Sequence, residues 1–163
     1  MAKVVEVVDP QAAWATMSWR SLISIGLIGV LIGVVTYALN LVLLHLVFEP
    51  IMCRDSLALV RCDSKESLSA GVAIVLASMV GLVFLVRERV YRPLLVILAV
   101  ALSMWGIFVA VAGLPWLLAT VVVALAFALC YMLFAWLVQP NSLAISLILA
   151  TLAVVAVRLV LTV

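Results

Sequence analysis

The fold is decided by one apolar stretch at residues 21–48, which reads SLISIGLIGVLIGVVTYALNLVLLHLVF. A transmembrane helix needs about 20 mostly apolar residues to cross the hydrocarbon core of a bilayer, and this stretch holds no Asp, Glu, Lys or Arg. The apolar core of a cleaved signal peptide is shorter and precedes a cleavage site of small residues. We therefore expect the stretch to remain as a membrane-spanning helix.

The composition of the whole chain agrees with a membrane protein. Of the 163 residues, 70% are hydrophobic and 10% are charged, whereas a globular domain has about 45–50% and about 25%. One soluble core of this size cannot bury so much apolar surface. The formal net charge of +2 is too small for a nucleic-acid-binding protein, which needs a concentrated basic surface. The high hydrophobicity excludes disorder. The expected surroundings are the lipid bilayer.

Charged residues, prolines and polar clusters divide the chain into five apolar stretches. Their approximate limits are residues 21–48, 68–86, 93–113, 115–137 and 141–163. Unbroken apolar runs favour helices over the alternating strands of a membrane barrel. The sequence thus predicts an all-α integral membrane protein, a bundle of about five transmembrane helices within residues 21–163. The alternative is four spans plus a re-entrant or interfacial segment.

The distribution of arginine predicts the orientation in the membrane. Arg87, Arg89 and Arg92 fall in one short connection, and short basic loops stay on the cytoplasmic side. We therefore expect a protein of the cytoplasmic membrane with its N-terminus inside and its C-terminus and the loop 49–67 outside. Residues 1–20 form a cytoplasmic segment, either an interfacial helix or a frayed start to the first span.

Three side chains are expected to anchor the helices at the membrane boundaries. Trp116 and Trp136 are 20 residues apart, a distance of about 30 Å along a helix, so each indole can lie at one headgroup layer. Arg158 is five residues from the end of the chain, where it can extend outward as an anchor. If the last helix ran deeper, Arg158 would need a buried acid.

The first span has one face that is small and polar. Within an arc of about 100° lie Gly26, Gly29, Gly33, Thr36, Tyr37 and Asn40. A G-x-x-x-G pattern, here Gly29 to Gly33, lets two helix backbones approach closely. We expect a packing seam, either with another helix of the chain or with a second protomer. The alternative is that the outer half of the face lines a small polar cavity, with Asn40 near the middle of the membrane.

His45 and Glu49 lie one helical turn apart on nearly the opposite face of the same span. Residues spaced i and i+4 can hydrogen-bond along a helix, and Glu49 stands beside Pro50 at the predicted helix end. An interfacial anchor is the expected role. A proton-sensing pair is the alternative, because histidine titrates near neutral pH.

The cysteines predict a disulfide in the outer loop. Cys53 and Cys62 both lie in the loop 49–67, and in an oxidising compartment such a pair forms a structural disulfide. A cysteine pair between the first two helices is similar to that of membrane thiol oxidoreductases of the vitamin K epoxide reductase type. Those enzymes also use a C-x-x-C pair on a later helix. Here Cys130-Tyr131-Met132-Leu133 lacks the second cysteine.

No sequence motif indicates catalysis, a metal or a cofactor. Transporters carry ionisable residues within the membrane or helices broken by Pro or Gly at its middle, and neither pattern is visible in the spans. The expected function is therefore non-enzymatic: a structural, assembly or accessory subunit that forms a homo-oligomer or joins partner subunits. The alternative is a channel or transporter for an ion or small solute, built around the glycine and polar face of the first helix. A membrane thiol oxidoreductase is the third possibility.

Overall fold

The computed structural model of the chain describes residues 19–52, 65–88, 90, 92–138 and 143–162, and these residues form helices and short connections. We number the α-helices in chain order. They are α1 (Trp19–Val42), α2 (Glu49–Met52), α3 (Lys65–Arg87), α4 (Pro93–Met104), α5 (Ile107–Val111), α6 (Trp116–Leu137) and α7 (Leu143–Thr162), with a π-helical stretch at Leu43–Phe48 between α1 and α2.

Three helices of the described part are long and apolar enough to cross a membrane. These are the continuous helix Trp19–Ile51 of 33 residues, Lys65–Arg87 of 23 residues and Trp116–Leu137 of 22 residues. Pro93–Met104 is an apolar helix shorter than a span, and Ala144–Leu159 is a shorter apolar stretch within the 20-residue helix α7. The described part of the chain is thus all-helical with three helices that could cross a membrane, whereas the predicted count of five spans is not confirmed.

The predicted third span, residues 93–113, is not one continuous helix. α4 ends at Met104, Trp105 is extended with φ −60° and ψ 115°, and Gly106 adopts the left-handed region with φ 96° before α5 begins. Glycine reaches this φ without the steric clash that a Cβ would cause. No sign of a helix broken at a glycine is evident in the sequence, but in this segment the chain turns between Trp105 and Gly106.

The core of the bundle is the helix α6. It packs against α1 over most of its length and also contacts α4, α5 and α7, while α3 packs on α1 and α4. The largest fully buried side chains include Tyr131 and Phe134 of α6 and Ile25 and Ile32 of α1. Because lipid tails are as apolar as leucine, close packing rather than hydrophobicity holds such helices together.

The described helices bury several of their polar residues and expose many large apolar ones. The buried polar residues are Thr36, Asn40, Ser69, Ser103 and Ser146. Leucines and valines cover much of the outer surface, for example Leu125 and Leu129 of α6. This distribution suits a lipid environment, where an unsatisfied polar group costs several kcal/mol.

Candidate functional site

The glycines of α1 bring its backbone against α6 of the same chain. A Cβ at Gly29 would lie 2.7 Å from Ala128 Cα, and a Cβ at Gly33 would lie 2.7 Å from Ala124 Cα. Two patterns with small residues four apart therefore face each other, Gly29 to Gly33 on α1 and Ala124 to Ala128 on α6. Of the two partners considered for this seam, the structure shows a helix of the same chain.

Gly26 continues this contact toward the beginning of α1, and Thr36 lies three residues after Gly33. A Cβ at Gly26 would lie 2.8 Å from Met132 Sδ, so the methionine side chain fills the space beside the glycine. Thr36 is fully buried, and its hydroxyl donates to the Ile32 carbonyl at 2.6 Å. The Thr36 hydroxyl is therefore hydrogen-bonded to the backbone of its own helix.

Asn40 is held by the helix α3. Its side chain is 9% exposed, and the Ser69 hydroxyl lies 2.9 Å from Asn40 Oδ1. Ser69 is four residues from the start of α3, about 6 Å along the helix. Asn40 therefore lies beside the Lys65 end of α3, and its expected depth near the middle of the membrane stays a prediction.

One polar atom of the Asn40 side-chain amide, either the nitrogen or the oxygen, can hydrogen-bond to a further partner. The Ser69 hydroxyl also lies 3.1 Å from the Glu66 carbonyl, and a hydroxyl has a single proton to donate. If that proton goes to Asn40, the amide NH₂ stays available. If it goes to Glu66, the amide donates to Ser69 and its oxygen stays available.

A cavity of about 260 Å³ opens beside Asn40. Its walls come from α1, the π-helical stretch, α3, the break before α5 and α5 itself, and they include Tyr37, Asn40, Glu66, Ser69, Trp105 and Phe108. An engineered apolar cavity of about 150 Å³ binds benzene. The cavity therefore has room for an aromatic ring with a substituent of a few atoms.

Aromatic rings form one side of this cavity. The rings of Tyr37 and Phe108 are stacked, with centroids 6.3 Å apart and an interplanar angle of 26°. Trp105 extends across to α3, where a Cβ at Gly71 would lie 3.2 Å from its Cη2 atom. The break after α4 places Trp105 and Phe108 on the cavity wall.

The helix break is also contacted by Arg158 of α7. Arg158 Nε donates to the Leu102 carbonyl at 3.0 Å, and Nη1 lies 4.0 Å from the position that a Cβ would take at Gly106. The last four carbonyls of a helix have no partner within it, and Leu102 is in the last turn of α4. The structure thus places Arg158, expected as a boundary anchor, against the exposed backbone of the break.

A second polar cluster joins the π-helical stretch and α2 to the start of α3. His45 Nδ1 lies 3.0 Å from Glu49 Oε2, and Lys65 Nζ lies 3.9 Å from Glu49 Oε1. The His45 and Glu49 side chains are largely exposed. Surface ion pairs of this kind contribute little to stability, so the cluster positions the helix ends without stabilising them strongly.

The remaining predicted residues lie apart from the cavity. Trp116 and Trp136 are at the two ends of α6 with 66% and 52% of their surfaces exposed. Cys130 is buried on α6 as a free thiol. Cys53 and Cys62 lie outside the described residues, so their disulfide stays a prediction.

Sequence analysis missed Trp105 and Gly106 as cavity residues. A signal was present, because Trp105 is 12 residues after Pro93, about 18 Å into the predicted span. Tryptophan is normally enriched at the membrane boundaries. A tryptophan deep in an apolar segment and followed by glycine is therefore a pattern that merits a search for a break.

The described residues hold no cluster of three or more His, Cys, Asp or Glu side chains that could bind a metal ion. Comparisons of the chain with protein-family models, with curated proteins and with solved structures found no match. The function is therefore argued from the cavity alone.

Proposed function

We propose that this chain is a membrane carrier that binds a small amphipathic solute in the cavity between α1, α3 and α5. One observation carries the proposal: the non-helical backbone at Trp105 and Gly106 lines a cavity beside the buried amide of Asn40. Non-helical backbone within an apolar segment is tolerated where protein buries it or where it lines a cavity. Discontinuous helices form the substrate sites of many transporters.

The chemistry of the cavity suits an amphipathic solute. Tyr37, Trp105 and Phe108 offer apolar surface, while Asn40, Ser69 and Glu66 offer hydrogen-bonding groups. Binding sites for small molecules combine a largely apolar wall with a few placed polar groups in this way. The polar atom of Asn40 that Ser69 does not engage supplies one such group.

We further propose that the broken segment 93–113 and the helix α7 lie within the membrane with the three long helices. α4 packs against α3, α6 and α7, so it lies beside two of the helices that are long enough to span. Arg158 covers a carbonyl of the break, which reduces the cost of non-helical backbone in lipid. On this arrangement the predicted orientation, with the N-terminus cytoplasmic, stays part of the proposal.

The alternative function, a structural or accessory subunit, stays a prediction. Its proposed interface was the glycine face of α1, and the structure uses Gly29 and Gly33 for contact with α6. An oligomer would therefore have to use another surface. For this reason we favour the carrier, whose site is defined by named residues. The expectation that the chain is not an enzyme is also untested.

Transport measured in proteoliposomes tests the proposed function. The purified chain is reconstituted, and uptake is followed for a panel of small aromatic and aliphatic amines, carboxylates and alcohols. We expect uptake of at least one class above that of protein-free liposomes, reduced about tenfold by Asn40→Leu. The lost hydrogen bond within the membrane is worth about 1–2 kcal/mol, and 1.4 kcal/mol is a factor of ten.

The matched control is Thr151→Val, which also removes one polar group from a membrane helix. Thr151 is exposed on α7, does not line the cavity, and donates to the Leu147 carbonyl of its own helix at 2.8 Å. Uptake by this variant should equal that of the wild type. The proposal is wrong if no solute exceeds the protein-free rate, or if Asn40→Leu transports as well as Thr151→Val.

A further inference from the structure

We infer that the solute bound in this cavity is a small organic amine in its protonated form, with an aromatic or other compact apolar group. This inference rests on the proposed function and adds the charge of the ligand. It follows from one carboxylate, three aromatic side chains and the positions of the neighbouring basic groups.

Glu66 supplies the negative charge. It lies in the first turn of α3 and is exposed at the cavity. Of the described residues that line the cavity, Glu66 is the only one with a charged side chain. A primary amine is protonated at neutral pH, as lysine is, so an amine reaching the cavity carries the opposite charge to Glu66.

Basic side chains near the cavity are engaged elsewhere. Lys65 Nζ lies 3.9 Å from Glu49 Oε1, and Arg158 Nε is bonded to the Leu102 carbonyl at 3.0 Å. Neither residue lines the cavity. Within the described residues, no basic side chain forms a salt bridge with Glu66. Among the described residues, Glu66 is therefore the one charged side chain that a ligand in the cavity can touch.

The aromatic wall favours a cation as well. The faces of Trp, Tyr and Phe rings carry partial negative charge, and they attract ammonium groups that approach within about 6 Å. Trp105, the ring type that binds cations best, shares the cavity with Tyr37 and Phe108. A neutral ligand would gain from apolar contact with these rings, whereas an amine gains from the contact and from the charge.

The volume limits the size of the amine. About 260 Å³ exceeds the roughly 150 Å³ that holds benzene by enough for a two-carbon chain and an ammonium group. Phenethylamine fits this description. 2-Phenylethanol has nearly the same shape and no charge, so the two compounds form a matched pair of probes.

Binding of these probes to the full chain in lipid nanodiscs tests the inference. Calorimetric titrations are corrected with protein-free nanodiscs, because both probes partition into lipid. We expect phenethylamine to bind the wild type at least tenfold more tightly than 2-phenylethanol. Glu66→Gln should remove most of this preference, because the amide has nearly the shape of the carboxylate without its charge.

The matched control is Glu49→Gln, which removes an exposed acid near the same end of the bundle that does not line the cavity. This variant should keep the tenfold preference. Equal binding of amine and alcohol by the wild type overturns the inference while leaving a functional cavity. A preference that survives Glu66→Gln, or that is lost equally in Glu49→Gln, also overturns it.

Absence of binding by both probes contradicts the inference as well. The proposed function is judged separately, by the transport panel, which includes carboxylates and alcohols. If an uncharged or acidic solute is transported in a manner that depends on Asn40, the carrier stands and only the charge of its ligand is wrong.

Discussion

Arg158 of α7 donates a hydrogen bond from Nε to the carbonyl oxygen of Leu102, 3.0 Å away in the last turn of α4. This contact connects α7 to α4, which at 12 residues is shorter than a membrane span. It also gives a hydrogen-bond donor to a backbone carbonyl near the point where α4 ends and the chain turns at Trp105 and Gly106. The same turn places Trp105 and Phe108 on the wall of the cavity.

Replacing Arg158 is expected to destabilise the bundle through this contact. A hydrogen bond to a charged group is worth about 1.5–3 kcal/mol, so Arg158→Leu should lower the free energy of unfolding by about that amount. Lysine keeps the positive charge but has no guanidinium Nε to donate to the Leu102 carbonyl. Arg158→Lys should therefore recover less than half of the lost free energy of unfolding. Denaturant unfolding in a fixed lipid or detergent mixture measures both variants. Full recovery with lysine would instead indicate a boundary anchor.

The seam between α1 and α6 predicts that glycine is needed for folding rather than for oligomer formation. In Gly33→Ala the new Cβ would overlap Ala124 Cα and approach Phe127 Cβ, and such overpacking costs about 1–3 kcal/mol. We expect a lower melting temperature with the particle mass unchanged by native mass spectrometry. A variant that unfolds normally but changes oligomeric state would contradict an intramolecular seam.

Gly106→Ala is expected to weaken the helix break. The backbone of Gly106 has φ 96°, a conformation that costs a residue with a Cβ about 1–2 kcal/mol. Space is not the obstacle, because the nearest atom to the added Cβ is Arg158 Nη1 at 4.0 Å. Gly113→Ala is the control, since its Cβ would meet nothing within 4 Å. Equal melting temperatures for the two variants would contradict the strain that we assign to Gly106.

Replacing each of two fully buried serines by alanine is expected to affect the free energy of unfolding differently. Ser69 is bonded to Asn40 and to the Glu66 carbonyl, so Ser69→Ala should cost about 1–2 kcal/mol and reduce solute binding. The Ser103 hydroxyl has no partner among the described residues, so Ser103→Ala should leave the free energy of unfolding unchanged or increase it. Comparable losses in both variants would show that Ser103 has a partner or that the Ser69 bonds contribute little.

The helix limits were predictable where the sequence marks them. Residues 115–137 were expected to form a span, and α6 occupies Trp116–Leu137, because Pro115 and Pro140 restrict the helix at both ends. The small face of α1 was also visible, since its glycines repeat with the helical period. Its partner was not, because Ala124 and Ala128 do not stand out in an apolar helix that contains many alanines.

The cavity was harder to predict for a physical reason. It is built from separate helices, and it depends on a turn at Trp105 and Gly106 that no proline marks. A lone glycine costs a helix only about 1 kcal/mol relative to alanine, so the sequence alone leaves a straight helix plausible there. The hydrogen bond from Arg158 to the Leu102 carbonyl was unexpected for a similar reason, because a buried basic side chain predicts an acid and a sequence does not mark a backbone carbonyl.

The most direct test of the solute cavity is ¹⁹F nuclear magnetic resonance of the chain labelled with 5-fluorotryptophan in lipid nanodiscs. Trp105 lines the cavity, whereas Trp116 and Trp136 are exposed at the ends of α6 and do not line it. The chain contains five tryptophans, so these three signals are assigned with Trp105→Phe, Trp116→Phe and Trp136→Phe, and the panel of amines, carboxylates and alcohols is then titrated. We predict a saturable shift of the Trp105 signal for at least one solute, lost in Asn40→Leu, with the signals of Trp116 and Trp136 unmoved. An unmoved Trp105 signal, or equal shifts of all three, would contradict a binding cavity.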